Sequence, residues 1–267
     1  MSDTATSDTA TTAPAGRALN NTLVMTGRSI RLSSRNVDAV FTSLMLPVML
    51  MLIFVYLFGG AIDTGTGGPY VSYVVPGVLL LCAGFGSSGT AVSVNEDMKG
   101  GIVDRLRSLD VGGTAILAGH VASSTVRNVV STVLVLGVAL LIGFRPTPTL
   151  PAALAAAGLL LAFILAISWL AAAVGLLTKS PEAAGSFSFF MMFLTYPSST
   201  FAPIAAMPSW LHGFAYNQPV TPVIESLRGL LLNEPVGSDP WVALAWCAGI
   251  LLVAVGVSGR LFRIRTA

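Results

Sequence analysis

Residues 150–177 read LPAALAAAGLLLAFILAISWLAAAVGLL and contain no Asp, Glu, Lys or Arg. A helix needs roughly 20 apolar residues to cross a hydrocarbon layer about 30 Å thick. A helix also satisfies its own backbone hydrogen bonds where no water is available. The stretch therefore predicts a membrane-spanning helix.

Five further runs share this lack of charge, and they lie at residues 44–62, 71–94, 129–144, 183–202 and 241–259. Of the 267 residues, 54% are hydrophobic and only 10% are charged. A large soluble protein would need helices with a repeating polar face, and these runs are apolar all round. The sequence therefore predicts an all-α membrane protein with six transmembrane helices, at about 41–62, 71–94, 121–144, 150–177, 183–202 and 241–259.

The basic residues indicate the orientation of these spans. If the six spans alternate in direction, 12 of the 14 Lys and Arg residues fall on one side: Arg17, Arg28, Arg31, Arg35, Lys99, Arg105, Arg107, Arg127, Lys179, Arg260, Arg263 and Arg265. Only Arg145 and Arg228 fall on the other side. The positive-inside rule then places both termini in the cytoplasm. The small net charge of +2 and the lack of a basic block argue against a nucleic-acid partner.

Two segments precede the first span. Residues 1–16 lack the basic start and apolar core of a signal peptide, and they predict a disordered cytoplasmic tail. Residues 17–38 mix apolar side chains with arginines and predict a helix on the cytoplasmic membrane surface, facing anionic lipid headgroups. A solvated lead-in to the first span is the alternative. Residues 17–267 then form a single transmembrane domain.

The second span contains Gly84-Phe-Gly-Ser-Ser-Gly89, which matches the dinucleotide-binding pattern G-x-G-x-x-G. That pattern belongs after a β-strand, and this one lies in the middle of an apolar run. Small residues that let membrane helices approach closely are the better interpretation.

The cytoplasmic loop at residues 95–112 is the most densely charged stretch. It mixes acidic and basic residues, while Met98, Ile102, Leu106 and Leu109 recur every three or four residues. This pattern predicts a short amphipathic helix that offers an apolar face and a charged rim to a partner. A solvated surface helix with internal charge pairs is the alternative.

The outer segment at residues 203–239 is long, apolar in part, and broken by prolines. It includes Pro208, Trp210 and other aromatic residues, and it predicts re-entrant or interfacial helices at the outer leaflet. Glu225 and Arg228, three residues apart, are expected to pair there in a structural role.

The sequence contains no recognisable arrangement of catalytic residues. The two histidines, His120 and His212, are predicted on opposite sides of the membrane, which argues against a His-based metal or triad site. The phosphate-loop pattern G-x-x-x-x-G-K-[ST] does not occur. The predicted spans also lack charged residues at depth, which disfavours an ion-coupled carrier. The energy for any work would therefore have to come from outside this chain.

Several motifs follow one another in a fixed order. They are a basic lead-in, a first span containing Pro47, the sequence Glu96-x-x-x-Gly100 followed by Arg105-Leu106-Arg107-Ser-Leu, and a late set of Pro203, Met207, Pro208, Trp210, Leu211, Pro219, Thr221, Glu225 and Arg228. This order resembles the membrane permease of type-2 ABC exporters, particularly the daunorubicin-resistance-like branch. Asp110 departs from the family pattern, which commonly has Pro at that position.

The resemblance implies a complex in a bacterial plasma membrane, made of two permease chains, expected to be a homodimer, and two copies of a separate ATP-binding cassette ATPase. ATP and Mg would bind the ATPase, while this chain would bind no cofactor or metal and carry no catalytic residue. The residues expected to couple to the ATPase are Glu96, Lys99, Gly100, Arg105, Leu106 and Arg107.

By the same analogy, spans two and five line a path for a hydrophobic solute between the two permease chains. The residues expected along this path are Phe85, Phe187, Phe190, Phe193 and Tyr196. Ordinary packing or lipid-facing aromatic residues are the alternative. The implied function is export of hydrophobic or amphipathic compounds such as drugs or antibiotics. Export of a lipid or lipid-linked glycan, and a non-transporting membrane scaffold or sensor, remain alternatives.

Overall fold

The computed structural model describes residues 37–62, 64–65, 67–100 and 113–266, and this part of the chain contains helices and turns but no β-strand. The all-α prediction is confirmed. The helices are α1 (Val37–Ile53), α2 (Tyr70–Lys99), α3 (Gly113–Leu141), α4 (Leu150–Leu177), α5 (Pro181–Gly185), α6 (Phe187–Thr195), α7 (Ser209–Asn217), α8 (Val220–Leu232) and α9 (Asp239–Thr266). A π-helical turn, Phe54–Phe58, extends α1, and a 3-10 turn, Ile204–Ala206, precedes α7.

Four helices in the described ranges are long and apolar enough to cross a membrane: Tyr70–Lys99, Ile116–Leu141, Leu150–Leu177 and Asp239–Ile264. They correspond to the predicted second, third, fourth and sixth spans. The predicted first span corresponds to a shorter apolar helix, Leu44–Phe58. The chain is therefore an integral membrane protein, and the count of six spans stays a prediction.

The predicted fifth span, 183–202, is divided between two short helices. The Ser186 hydroxyl donates to the Ala183 carbonyl at 2.7 Å at the junction of α5 and α6, and such local bonds compete with the regular helix pattern. Further along, α6 ends at Thr195, two residues before Pro197, which has no N–H to continue a helix. The nine residues of α6 extend only about 14 Å.

Helix α2 lies at the centre of the molecule. It packs against α1, α3, α4, α5, α6 and α8, and its residues from Tyr73 to Gly84 are buried without interruption. Around its N-terminal half, Met51 of α1 and Val135 of α3 complete one apolar core. A second core joins α4 to α6, α8 and α9 through residues such as Phe163 and Ile224.

The C-terminal end of α2, which is predicted to be cytoplasmic, is longer than the sequence predicts. The predicted span ends at residue 94, whereas the helix continues to Lys99 and ends where the Gly100 N–H donates to the Glu96 carbonyl at 2.8 Å. The first residues of the predicted coupling loop therefore belong to α2. The predicted tail at 1–16, most of the predicted interfacial helix at 17–38, and residues 101–112 lie outside the described residues.

Candidate functional site

The glycines of α2 mark close contacts with neighbouring helices. A side chain at Gly86 would collide with the Asn128 amide of α3, and a side chain at Gly175 of α4 would collide with the Ala91 carbonyl of α2. The run Gly84–Gly89 lies wholly inside α2. The interpretation of this run as close helix packing is confirmed, and the geometry is not that of a dinucleotide site.

A buried polar cluster joins α2, α3 and α4 at the level of these contacts. The Asn128 Nδ2 donates to Ser87 Oγ at 2.9 Å, and Ser168 Oγ lies 3.0 Å from Ser124 Oγ and 3.4 Å from Ser87 Oγ. All four side chains are buried. Hydrogen bonds between membrane helices stabilise by about 0.6 kcal/mol on average, so their main effect here is to fix how the three helices sit against one another.

Arg127 lies beside this cluster, inside α3. Its Nη2 donates to the Gly86 carbonyl at 3.0 Å and to Thr90 Oγ1 at 3.1 Å. The expectation that Arg127 belongs to a loop is wrong, because Arg127 lies within α3 and within the candidate span Ile116–Leu141. The charge-free run that marks this span in the sequence begins only at residue 129, whereas α3 begins at Gly113 and includes Arg127.

The C-terminal end of α2 is joined to the end of α4 by Asn95. This side chain is fully buried, and its Nδ2 donates to the Gly175 carbonyl at 3.1 Å and to the Thr178 carbonyl at 2.7 Å. Carbonyls in the last turn of a helix have no partner within the helix. Asn95 supplies that partner from a neighbouring helix, and so fixes the position of α2 relative to α4.

A second contact joins α2 to the start of α3. The Nε2 atom of His120 lies 3.0 Å from Asp97 Oδ2, and the side chains are 14% and 26% exposed, respectively. Residues 101–112 connect these two helices, so the Asp97–His120 pair bridges the two ends of the predicted coupling segment. The sequence had offered no nearby partner for His120.

The predicted coupling residues divide into two groups. Glu96, Lys99 and Gly100 lie at the exposed end of α2, whereas Arg105, Leu106 and Arg107 lie outside the described residues.

Near the same end of the molecule, the pKa of the Glu182 carboxyl lies below its ordinary value. Its own backbone N–H and the Ser180 hydroxyl donate to it, and the charge of Lys99 adds to the effect.

The residues predicted to line a solute path do not all share one environment. Phe190, Phe193 and Tyr196 form an exposed stripe along α6, with Phe193 75% exposed, whereas Phe187 is buried in the core. Phe85 is partly buried on α2. The structure thus brings three of the five onto one open face and places Phe187 in a packing role.

The outer segment is anchored by Arg228, which is only 4% exposed. Its Nη1 contacts both carboxylate oxygens of Glu225 at 2.7 Å, which confirms the predicted pair. Its Nη2 donates to the carbonyls of Tyr73 at 3.0 Å and Ser199 at 2.7 Å. The guanidinium carbon also lies 3.7 Å from the centre of the Tyr73 ring, a cation–π distance. Arg228 therefore joins α8 to α2 and to the turn after α6.

The other predicted residues of the outer segment lie at the surface. Pro208 immediately precedes α7, and Trp210 in its first turn is 80% exposed. An exposed tryptophan between apolar helices is typical of the membrane interface. The segment contains two helices, α7 and α8, and its position relative to the lipid stays a prediction.

Sequence reasoning missed the polar side chains that hold the helices together. Asn128 lies within an apolar helix, and asparagine in such a setting is itself a signal, because a buried amide requires partners. Asn95, beside Glu96 and Asp97, gave no such signal. Ser124 and Ser168 gave no comparable signal, because serine is common in membrane helices and packs in many settings.

The chain is similar in sequence to known transport proteins. Residues 20–232 match the family model described as "ABC-2 type transporter". The chain is 29% identical over 224 residues to a daunorubicin resistance ABC transporter permease protein of Streptomyces coeruleorubidus, covering 84% of this chain and 79% of that protein. It is 25% identical over 232 residues to a probable doxorubicin resistance ABC transporter permease protein from two strains of Mycobacterium tuberculosis, covering 87% of this chain and 84% of that protein.

Proposed function

Because the chain belongs to the ABC-2 type transporter family, we propose that it is the membrane subunit of a drug exporter driven by a separate ATP-binding subunit. The observation that carries this proposal is the similarity over 84% of the chain to a permease named for daunorubicin resistance. The apolar helices form the membrane domain of such an exporter. The sequence supplies no phosphate loop, so ATP and Mg belong to the partner.

The ATP-binding subunit docks at residues 95–112. Support comes from the cytoplasmic end of α2, where Glu96 and Lys99 are exposed beside two contacts to neighbouring helices. Asn95 connects this end to α4, and the Asp97–His120 pair connects it to α3. A displacement of the docked segment would therefore reach α2, α3 and α4 together.

The solute path runs between two copies of the chain, along the exposed aromatic stripe of α6. Phe190 and Phe193 are 53% and 75% exposed, and aromatic rings on an uncovered face suit a flat, apolar solute. The complete assembly has two permease chains and two ATP-binding subunits. Each permease has six spans, with both termini in the cytoplasm, in the plasma membrane of a bacterium.

Reconstitution tests the function directly. The purified chain and its cognate ATP-binding subunit are placed in proteoliposomes, and ATP-dependent movement of daunorubicin is measured by fluorescence. We expect movement with ATP and none when the phosphate-loop lysine of the ATP-binding subunit is replaced. A membrane scaffold would show no ATP-dependent movement in either case, and that result would refute the proposal.

The aromatic stripe is tested by Phe190→Ala and Phe193→Ala. We expect both variants to insert normally and to change which solutes stimulate ATP hydrolysis, because exposed side chains contribute little to folding. Leu252→Ala is the control, since Leu252 is 73% exposed on α9. Identical stimulation profiles for the wild type and both Phe variants across a panel of solutes would show that the stripe does not line the solute path.

A further inference from the structure

The last two turns of α9 are packed on one side and open on the other. Phe262 is buried there, in the same apolar core as Leu117 of α3 and Leu176 of α4. Arg260 and Arg263 are exposed. Because each residue turns a helix by about 100°, Arg260, two residues before Phe262, lies on the side of α9 that faces away from this core.

The exposed side of α9 continues from these arginines toward the middle of the helix. Val253, Val257, Arg260 and Ile264 follow one another at intervals of four, three and four residues, so they lie on one side of the helix, and Arg263 borders them. All five side chains are exposed, Val253 to 65% and Ile264 to 63%. We call these five residues the α9 face. It combines an apolar column with two cations near its C-terminal end.

The α9 face extends from the interior of the membrane to its boundary. All five residues belong to the candidate span Asp239–Ile264, and the two arginines lie in its last turn. Long basic side chains near the end of a span extend out of the hydrocarbon toward the lipid headgroups. Val253, seven residues before Arg260, lies about 10 Å deeper along the helix. The face therefore follows the headgroup and the upper acyl chains of one leaflet.

The two arginines of the α9 face have no carboxylate partner in the part of the chain that the structure describes. The ion pairs there are Asp97–His120 and Glu225–Arg228, and neither includes an arginine of α9. A guanidinium donates paired hydrogen bonds to phosphate oxygens. Both guanidiniums are therefore free to bind an external phosphate.

The chemistry of the face matches a phospholipid better than a soluble ligand. A free anion or a soluble protein would contact only the arginines, because Val253 and Val257 lie within the candidate span. A phospholipid contacts both parts of the face. Two cations also favour a headgroup with net negative charge over phosphatidylcholine, whose own cation they repel.

We propose that the α9 face binds one anionic phospholipid, with its phosphate on Arg260 and Arg263 and an acyl chain along Val257 and Val253. The site is separate from the proposed solute path on α6, and it does not depend on the proposed export function. Because Phe262 packs the same turns of α9 against α3 and α4, the bound lipid lies on the outside of that helix contact.

Two double variants remove the same amount of charge from different places. Arg260→Gln with Arg263→Gln removes both cations of the α9 face. Lys99→Gln with Lys179→Gln is the matched control, because both lysines are exposed beside the C-terminal ends of α2 and α4. Arg260→Lys with Arg263→Lys retains the charge. All four side chains are exposed, so these substitutions should leave the fold intact.

The experiment measures the fluorescence anisotropy of two lipids, phosphatidylglycerol labelled on one acyl chain and the matching phosphatidylcholine, titrated with the full complex in detergent micelles. We expect the wild type to bind phosphatidylglycerol more tightly. The double Gln variant of α9 should lower that affinity roughly 25-fold, since each basic residue near anionic lipid contributes about fivefold. The double Lys variant and the matched control should retain the preference.

Three results overturn the inference. They are equal affinities of the wild type for the two lipids, equal losses in the double Gln variant of α9 and its control, and displacement of the lipid by millimolar inorganic phosphate at constant ionic strength. The second would show a diffuse basic rim, and the third a site for a free anion. Thermal unfolding, measured alongside, shows that each variant retains the fold. Failure of the proposed function is a separate result, because lipid binding is measured without ATP-driven movement of daunorubicin.

Discussion

The two ends of α2 are held in different ways. At the predicted outer end, Arg228 of α8 is buried and contacts the Tyr73 carbonyl and ring of α2, and it also donates to the Ser199 carbonyl and pairs with Glu225 of its own helix. At the predicted cytoplasmic end, one neutral amide, Asn95, and one partly exposed pair, Asp97–His120, join α2 to α4 and α3. The first end therefore depends on a buried guanidinium, whereas the second depends on a buried neutral amide and a charged pair that is partly exposed.

This difference indicates which end is able to move. Charged hydrogen bonds in a dry environment are costly to break, while a partly exposed pair contributes little to stability. The cytoplasmic end adjoins the segment where the ATP-binding subunit is proposed to dock. We therefore expect that end of α2 to move during the transport cycle while the outer end stays fixed.

The largest effect is expected at the outer end. Arg228→Met should destabilise the protein by roughly 3 kcal/mol, the low end for breaking a buried pair, because Glu225 remains partly exposed. Thermal unfolding in detergent measures the loss. Arg145→Met is the control, since Arg145 is exposed and donates only to nearby carbonyls. Equal melting temperatures for the two variants would show that the contacts of buried Arg228 stabilise the protein no more than those of exposed Arg145.

A smaller effect is expected for Asn95→Ala. The variant loses hydrogen bonds to Gly175 and Thr178, which together stabilise by about 1–3 kcal/mol. We expect a modest drop in melting temperature and a clear loss of solute-stimulated ATP hydrolysis. Asn217→Ala removes an exposed amide that bonds to Gly213 and should change neither quantity. Normal stimulation in Asn95→Ala would show that the contact between α2 and α4 is not part of the coupling route.

The smallest effect on stability is expected for the Asp97–His120 pair. Asp97→Asn should cost less than about 1 kcal/mol, because both side chains are partly exposed. Its effect should instead fall on coupling, with basal ATP hydrolysis retained and solute stimulation reduced. Glu234→Gln, an exposed acidic residue of the outer segment, serves as the control. A large drop in melting temperature without a change in stimulation would assign the pair a structural role only.

Much of the fold follows from composition and periodicity. The charge-free run at 150–177 coincides with α4, because a long apolar segment has one stable conformation in lipid. The pairing of Glu225 with Arg228 was also predictable, since residues three apart on a helix are neighbours. Both predictions depend on local sequence alone.

Other features depend on contacts between distant residues. The position of Arg127 follows from where α3 begins and from hydrogen bonds to Gly86 and Thr90 on another helix. The pairing of His120 with Asp97 likewise joins two helices that residues 101–112 separate in the sequence. The break between α5 and α6 depends on the Ser186 hydroxyl, one of many serines in the chain. No pattern within one helix reveals such contacts.

The most direct test of the account asks whether the ATP-binding subunit docks at residues 95–112. The measurement is copurification of that subunit with the double variant Arg105→Glu and Arg107→Glu, compared with Arg260→Glu and Arg263→Glu, which makes the same change of charge at the end of α9. If the subunit docks at residues 95–112, the first variant inserts into the membrane and loses the ATP-binding subunit, while the second retains it. Retention by both variants, or loss from both, would contradict it.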